Sequence, residues 1–162
     1  MKNIEYHTLD LKHFAARVEG HEVDTYNPVK RSMEIGAIKY YEGVPYTLSN
    51  KKLEYYYMVA TVKAPSIDDK NLILDKIVGM VELQKSPYND DVLWLDFISV
   101  DPEYKNRGIG KKLSSMMCEF LVEKDLKIER SRPSDEGLQY IKSVIDELII
   151  KYNVKEMPRP KF

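Results

Sequence analysis

The sequence predicts an α/β fold in which a mixed, mostly antiparallel central sheet is flanked by helices. Three observations carry this. Strand-like runs between Leu53 and Val100 follow one another with only short turns between them, which implies an antiparallel meander. From Gly108 the apolar period becomes that of a helix, the strongest local sign of a change of element. A short strand pattern and a second helix then follow, so the second half reads as a strand–helix–strand crossover.

The elements follow in order. "IEYHTL" (Ile4 to Leu9) alternates apolar and polar residues as a half-buried strand does, and Asp10 offers an N-cap for a helix carrying Leu11, Phe14, Ala15 and Val18 on one face. From Gly20 to Asn50 short apolar clusters are broken by Gly36, Gly43 and Pro45, and a helix is predicted around Pro28 to Ile38. "LEYYYMVATVK" (Leu53 to Lys63) is rich in aromatic and β-branched residues and reads as a strand. "APSIDDKN" supplies a turn, and "LILDKIVGMVEL" (Leu72 to Leu83) the next strand, with a bulge predicted near Gly79. After the turn "SPYND" comes "DVLWLDFISV" (Asp91 to Val100), the most apolar strand of the chain.

Beyond Gly108, Ile109, Leu113, Met116, Met117, Phe120 and Leu121 form one helical stripe. "LKIERS" (Leu126 to Ser131) is a short strand. Pro133, Ser134, Asp135 and Glu136 open a last helix with acids near its positive end, and Leu138, Ile141, Val144, Ile145, Leu148 and Ile149 continue its apolar face. "KYNVKEMPRPKF" reads as a short strand or a loose tail.

Composition narrows the function classes. With 162 residues, 43% hydrophobic and 31% charged, the chain suits one domain, residues 1–162, that buries a core without metals or disulfides. Lys and Arg total 25 against 26 Asp and Glu, so no global basic field exists to hold nucleic acid. Cys118 is the single cysteine, which excludes an intrachain disulfide and favours a reducing, cytoplasmic setting. No signal-like segment or long apolar run is present, so no membrane association is expected. His7, His13 and His21 lack the spacing that brings imidazoles together, and no metal site is expected. The twelve tyrosines concentrate in the first half, where they fit strand packing with hydroxyls reaching water, or an aromatic pocket.

The segment with most chemistry is "SVDPEYKNRGIGKKL" (Ser99 to Leu113). A strand that ends in a glycine turn and feeds a helix leaves the first N–H groups of that helix unpaired and aimed at one spot. The helix dipole makes that spot attractive to phosphate. Gly108 and Gly110 remove side chains that would keep a pyrophosphate from the backbone, and Lys105, Arg107, Lys111 and Lys112 add charge. An ordinary turn with solvating lysines is the plain alternative. The G-x-x-x-x-G-K-[S/T] pattern is absent, and G-x-G-x-x-G would need a glycine where Leu113 stands.

"DFISVDPEYKNRGIGKKL" (Asp96 to Leu113) resembles the signature segment of the GNAT superfamily of N-acetyltransferases, whose loop has the form [Q/R]-x-x-G-x-[G/A] after a strand ending in V-x-P. The order of elements from Ile4 to about Ile150 agrees with that family. The resemblance implies a GNAT-like sheet with a splayed strand at the CoA site, and acetyl-CoA as cosubstrate. It places Lys105, Asn106, Arg107, Gly108, Ile109, Gly110 and Lys111 around the CoA pyrophosphate. It gives the strand residues Ile98, Ser99 and Val100 the pantetheine arm, with Ile98 and Val100 foremost. Lys105 departs from the usual Gln or Arg and lacks the planar fork of arginine.

The resemblance also implies how the chemistry is divided. Asp96, where the family often has an acid, is the first choice for the base, and Tyr140, close to the position of the family's usual tyrosine, is the acid that protonates the leaving thiolate; strand alternation, not the resemblance, offers Glu82 on the preceding strand in reserve. Each has a plainer reading: a capping aspartate, a strand glutamate, a packing tyrosine. The family fold has two more strands after the last helix, so the acceptor site is expected to be truncated or completed by another subunit in a homodimer. "SRPSDEGLQY" (Ser131 to Tyr140) is similar to small GNAT-like proteins of bacteriophages, which would place the protein in a host cytoplasm. The expected reaction is acetyl transfer to a primary amine of a small molecule or protein by direct attack. The alternative is a non-catalytic GNAT-like module that binds CoA or a protein.

Overall fold

The computed structural model describes residues 3–10, 14–18, 21–22, 39–42, 55–65, 70–71, 73–130 and 136–158. A five-stranded sheet has the order β1-β5-β6-β7-β8, built from β1 (Glu5–Asp10), β5 (Tyr55–Pro65), β6 (Ile73–Lys85), β7 (Val92–Val100) and β8 (Lys127–Arg130). A second sheet of three strands has the order β3-β2-β4, from β2 (Phe14–Val18), β3 (His21–Glu22) and β4 (Lys39–Glu42). Helix α1 (Ile109–Glu123) crosses between β7 and β8, and α2 (Glu136–Tyr152) follows β8.

The meander is as the sequence predicts: β5 pairs with β6, and β6 with β7, both antiparallel. The crossover also stands, because β7 and β8 pair parallel, from Val92↔Lys127 to Leu95↔Arg130. The N-terminal part differs: strands β3 and β4 and the second sheet are not among the predicted elements. The helix predicted after Asp10 is absent, since Asp10 ends β1 and Phe14–Val18 is strand β2. Phe14, Ala16 and Val18 also alternate as strand residues do. Antiparallel pairing of Ala15 with Tyr41 and Ala16 with Tyr40 settles the ambiguity in favour of the sheet. The helix expected around Pro28 to Ile38 lies outside the described residues.

Strand alternation and the ladder registers divide the main sheet into two faces. On one, Met58, Ala60, Val81, Leu83, Leu93, Ile98 and Ile128 pack beneath Ile109, Leu113, Met117 and Leu121 of α1 and Ile145, Leu148 and Ile149 of α2. Burying each large aliphatic side chain is worth about 1.5–3 kcal/mol relative to exposure. The other face carries Tyr55, Tyr57, Val59, Ile77 and Met80, which are buried as well. No helix among the described residues is long and apolar enough to cross a membrane.

The chain beyond α2 returns to the edge of β8. The Ile128 N–H donates to the Lys155 carbonyl at 2.9 Å and the Met157 N–H to the Ile128 carbonyl at 2.8 Å. Arg130, at the end of β8, is buried and holds this return in place. Its guanidinium donates to Asp146 on α2 at 2.7 Å and to Glu156 at 2.9 Å, with a second bond from its Nε to Glu156. Partial burial pushes the Asp146 carboxyl up, but the bonds from Arg130 and Lys142 outweigh it and hold that carboxyl below its usual range.

Arg130→Met removes the shared donor of two carboxylates. It is expected to cost about 2 kcal/mol in chemical denaturation, less than a fully buried pair because both acids stay partly exposed. A carboxyl held low stabilises the fold above its unfolded pKa of about 3.9 and loses that contribution as pH falls through the folded value. The melting temperature of the unaltered protein should therefore fall more between pH 5 and pH 3 than that of Arg130→Met.

Candidate active site

The corner between β7 and α1 is built by backbone. The Asp101 N–H donates to the Val78 carbonyl at 2.8 Å, which ties the exit of β7 to β6. Asp101 then caps a short 3-10 turn, Pro102–Tyr104, by accepting from the Glu103 N–H at 2.9 Å. Asn106 (φ 65°) and Gly108 (φ 77°) both take the left-handed conformation, which asparagine tolerates and glycine prefers. A Cβ at Gly108 would meet nothing among the described residues within 4 Å, so it is this backbone angle that calls for glycine there.

Helix α1 begins at once, with no side chain among the described residues capping it. Its first intrahelical bond runs from the Lys112 N–H to the Gly108 carbonyl at 3.0 Å. The N–H groups of Ile109, Gly110 and Lys111 therefore have no intrahelical acceptor and open at the positive end of the helix. Lys105, Arg107, Lys111 and Lys112 surround this mouth and are exposed. The Arg107 guanidinium rests over the Tyr104 ring at 4.9 Å, and the Lys112 ammonium lies 5.9 Å from the centre of the Tyr6 ring. Among the described residues no carboxylate pairs with any of these four cations. Among the described residues, open space, unpaired N–H groups and unneutralised charge fit a pyrophosphate.

Beside the mouth, β7 changes character at Asp96. Glu82 pairs with Phe97 and Leu83 with Leu95, so Asp96 is the extra residue of a bulge. Pairing with β8 stops at Leu95, and among the described residues the outer edge of β7 from Asp96 to Val100 has no strand beside it. Ile98 and Val100 lie on the α1 face, with Ile98 buried in the core, whereas Ser99 lies on the opposite face.

The structure brings the two carboxylate candidates to one place. Glu82, only 5% exposed, lies beside Tyr57 on the face away from α1, and in the ladder it pairs with Phe97, the residue that follows the exposed Asp96 of the bulge. Tyr140 lies in the first turns of α2, and its side chain falls outside the described residues. Two features went unread in the sequence: the bulge at Asp96, whose sole signal is one acid in an apolar strand, and Tyr104 as the support of Arg107. No group of three or more His, Cys, Asp or Glu side chains among the described residues could hold a metal ion.

The model of the acetyltransferase (GNAT) family matches residues 44–131, just over half of the chain. Among solved structures, the chain is similar to an aminoglycoside acetyltransferase from an uncultured soil metagenomic sample, with 21% identity, 71% of this chain and 67% of that chain covered, and a TM-score of 0.42. It is also similar to a putative streptothricin acetyltransferase from Bacillus anthracis in complex with acetyl coenzyme A, at 13% identity, with 85% of this chain and 71% of that one covered and a TM-score of 0.39. A search of the curated proteins finds no match.

Gly108→Glu puts a carboxylate and a strained left-handed residue at the helix mouth. Its side chain would point into open space, so the expected cost to folding is about 1–2 kcal/mol. Binding of coenzyme A, followed by calorimetry, should weaken by at least about tenfold, or roughly 1.4 kcal/mol.

Proposed function

The chain belongs to the GNAT acetyltransferase family, and from that premise we propose that it moves an acetyl group from acetyl-CoA to a primary amine by direct attack, acting as one domain over residues 1–162. The observation that carries this reading is one corner with two features: a helix mouth ringed by four cations, and a strand whose outer edge, among the described residues, is open just before it. A pyrophosphate suits the first and an extended amide-bearing arm the second. The acceptor is an amine of a small molecule or a protein.

Acetyl-CoA, when bound, supplies the activated thioester carbonyl that the amine attacks. The N–H groups of Ile109, Gly110 and Lys111 hold the pyrophosphate, with Lys105, Asn106 and Arg107 around it. The backbone of Ile98, Ser99 and Val100 pairs with the pantetheine arm and offers an N–H to the carbonyl oxygen. Asp96, turned out of the ladder by its bulge, takes the proton that the amine gives up, with Glu82 as the carboxylate behind it. Tyr140 returns a proton to the departing sulfur.

Calorimetry with acetyl-CoA is the first test, and no heat of binding at millimolar ligand would sink the reading. Thiol release against a panel of amines, polyamines and peptides is the second. Asp96→Asn is expected to lower kcat by about 10²–10⁴, the usual reach of a general base, while leaving coenzyme affinity within about twofold. Binding without turnover on any acceptor would favour a non-catalytic CoA-binding module. The assay is free of background from the protein, because burial pushes the Cys118 thiol up to about 11 and that side chain is wholly enclosed.

A further inference from the structure

We propose that the bulge at Val78 and Gly79 of β6 is the seat that fixes the coenzyme cradle, and that Gly79 is a positioning residue for the acetyl donor; this rests on the acetyl-CoA reading above. In the β5–β6 ladder Ala60 pairs with Gly79 and Thr61 with Ile77, so Val78 is the extra residue. A bulge can turn two successive residues to the same face. Val78 belongs to the core under α1, and a Cβ at Gly79 would point at α1 too. There is room on that face for one side chain of the two.

Both ends of the cradle rest on this bulge. At its entry, the Val78 carbonyl accepts the Asp101 N–H at 2.8 Å, and Asp101 caps the turn that leads into the loop. At its exit, a Cβ at Gly79 would stand 2.7 Å from Ile109 Cγ2 and 3.1 Å from Leu113 Cδ1. Leu113 Cδ1 is the end of a flexible side chain. Ile109 Cγ2 is not, because a β-branched side chain in a helix has essentially one rotamer, and Ile109 is buried. With a methyl at position 79 the first turn of α1 must lift, and the Ile109, Gly110 and Lys111 N–H groups lift with it. Gly110 itself lies close to β7, its Cβ position 3.8 Å from Val100 Cγ2, so the same lift changes the spacing between helix mouth and strand edge.

The test is a double-mutant cycle on the full chain, with coenzyme A as the titrant and a thermal melt of each variant. Ile109→Leu keeps the apolar volume and the backbone N–H but removes Cγ2, the atom that would clash. Gly79→Ala is expected to weaken coenzyme A binding by about tenfold or more in the original background and by less than about threefold in the Ile109→Leu background, a coupling that bulk destabilisation does not produce. Equal affinity of folded Gly79→Ala and unaltered protein overturns the proposal, as does an equal loss in both backgrounds. Should Gly79→Ala alone fail to fold, the comparison of Ile109→Leu with the double variant decides: a loss under about threefold supports the seat, a larger one overturns it. Failure of the unaltered protein to bind coenzyme A overturns both the acetyl-CoA reading and the seat, and is seen before any variant is made.

Discussion

A helix can present its first N–H groups to a ligand only if its first turn is held still, and here the hold is the packing of Ile109 and Leu113 onto the middle of the sheet. Both side chains are buried against strands β5 and β6, and Met117 and Leu121 extend the contact along α1. The charged loop before the helix has no core of its own, since Lys105, Asn106, Arg107 and Gly108 are all exposed. Its shape is inherited from its two ends. The helix mouth is therefore a product of apolar packing, and the cations around it add charge to a geometry they do not create.

Two strand irregularities divide the work. The bulge in β6 faces α1 and governs how the helix sits, while the bulge in β7 governs where that strand parts from β8. Each inserts one residue, and each lies next to the corner. The sheet is otherwise a plain meander with a crossover, so the departures from regular pairing are concentrated where a ligand would be handled. Glu82 shows the same economy: a carboxylate is kept largely out of water, one rung from the place where β7 opens.

Much of this was legible from residue types. Runs such as "YYYMVATV" and "DVLWLDFISV" have the aromatic and β-branched composition of strands, and the stripe from Ile109 to Leu121 has a clean helical period. The bulge near Gly79 was legible because a glycine stood alone in an apolar run. The bulge at Asp96 was not, because pairing register is a relation between strands and leaves composition unchanged. Phe14 to Val18 misled for a related reason: in five residues the helical and the alternating patterns overlap, and a partner strand far along the chain made the choice. Of the site, the loop and its cations could be read locally. The nearness of Glu82 to Asp96 and the shelf that Tyr104 makes for Arg107 depend on register and packing.

That shelf has a consequence for binding. A free arginine on a surface loop samples many rotamers, and a ligand that captures it must bear the loss of that freedom, on the order of 0.5–1.5 kcal/mol for a long side chain. Arg107 lies over the Tyr104 ring, and Tyr104 is itself packed against the core. An exposed contact of this kind is worth about 0.5–1 kcal/mol, so part of the disorder of that guanidinium is given up when the protein folds. A phosphate brought to the corner would meet a cation already biased towards one position, and would lose less entropy in capturing it.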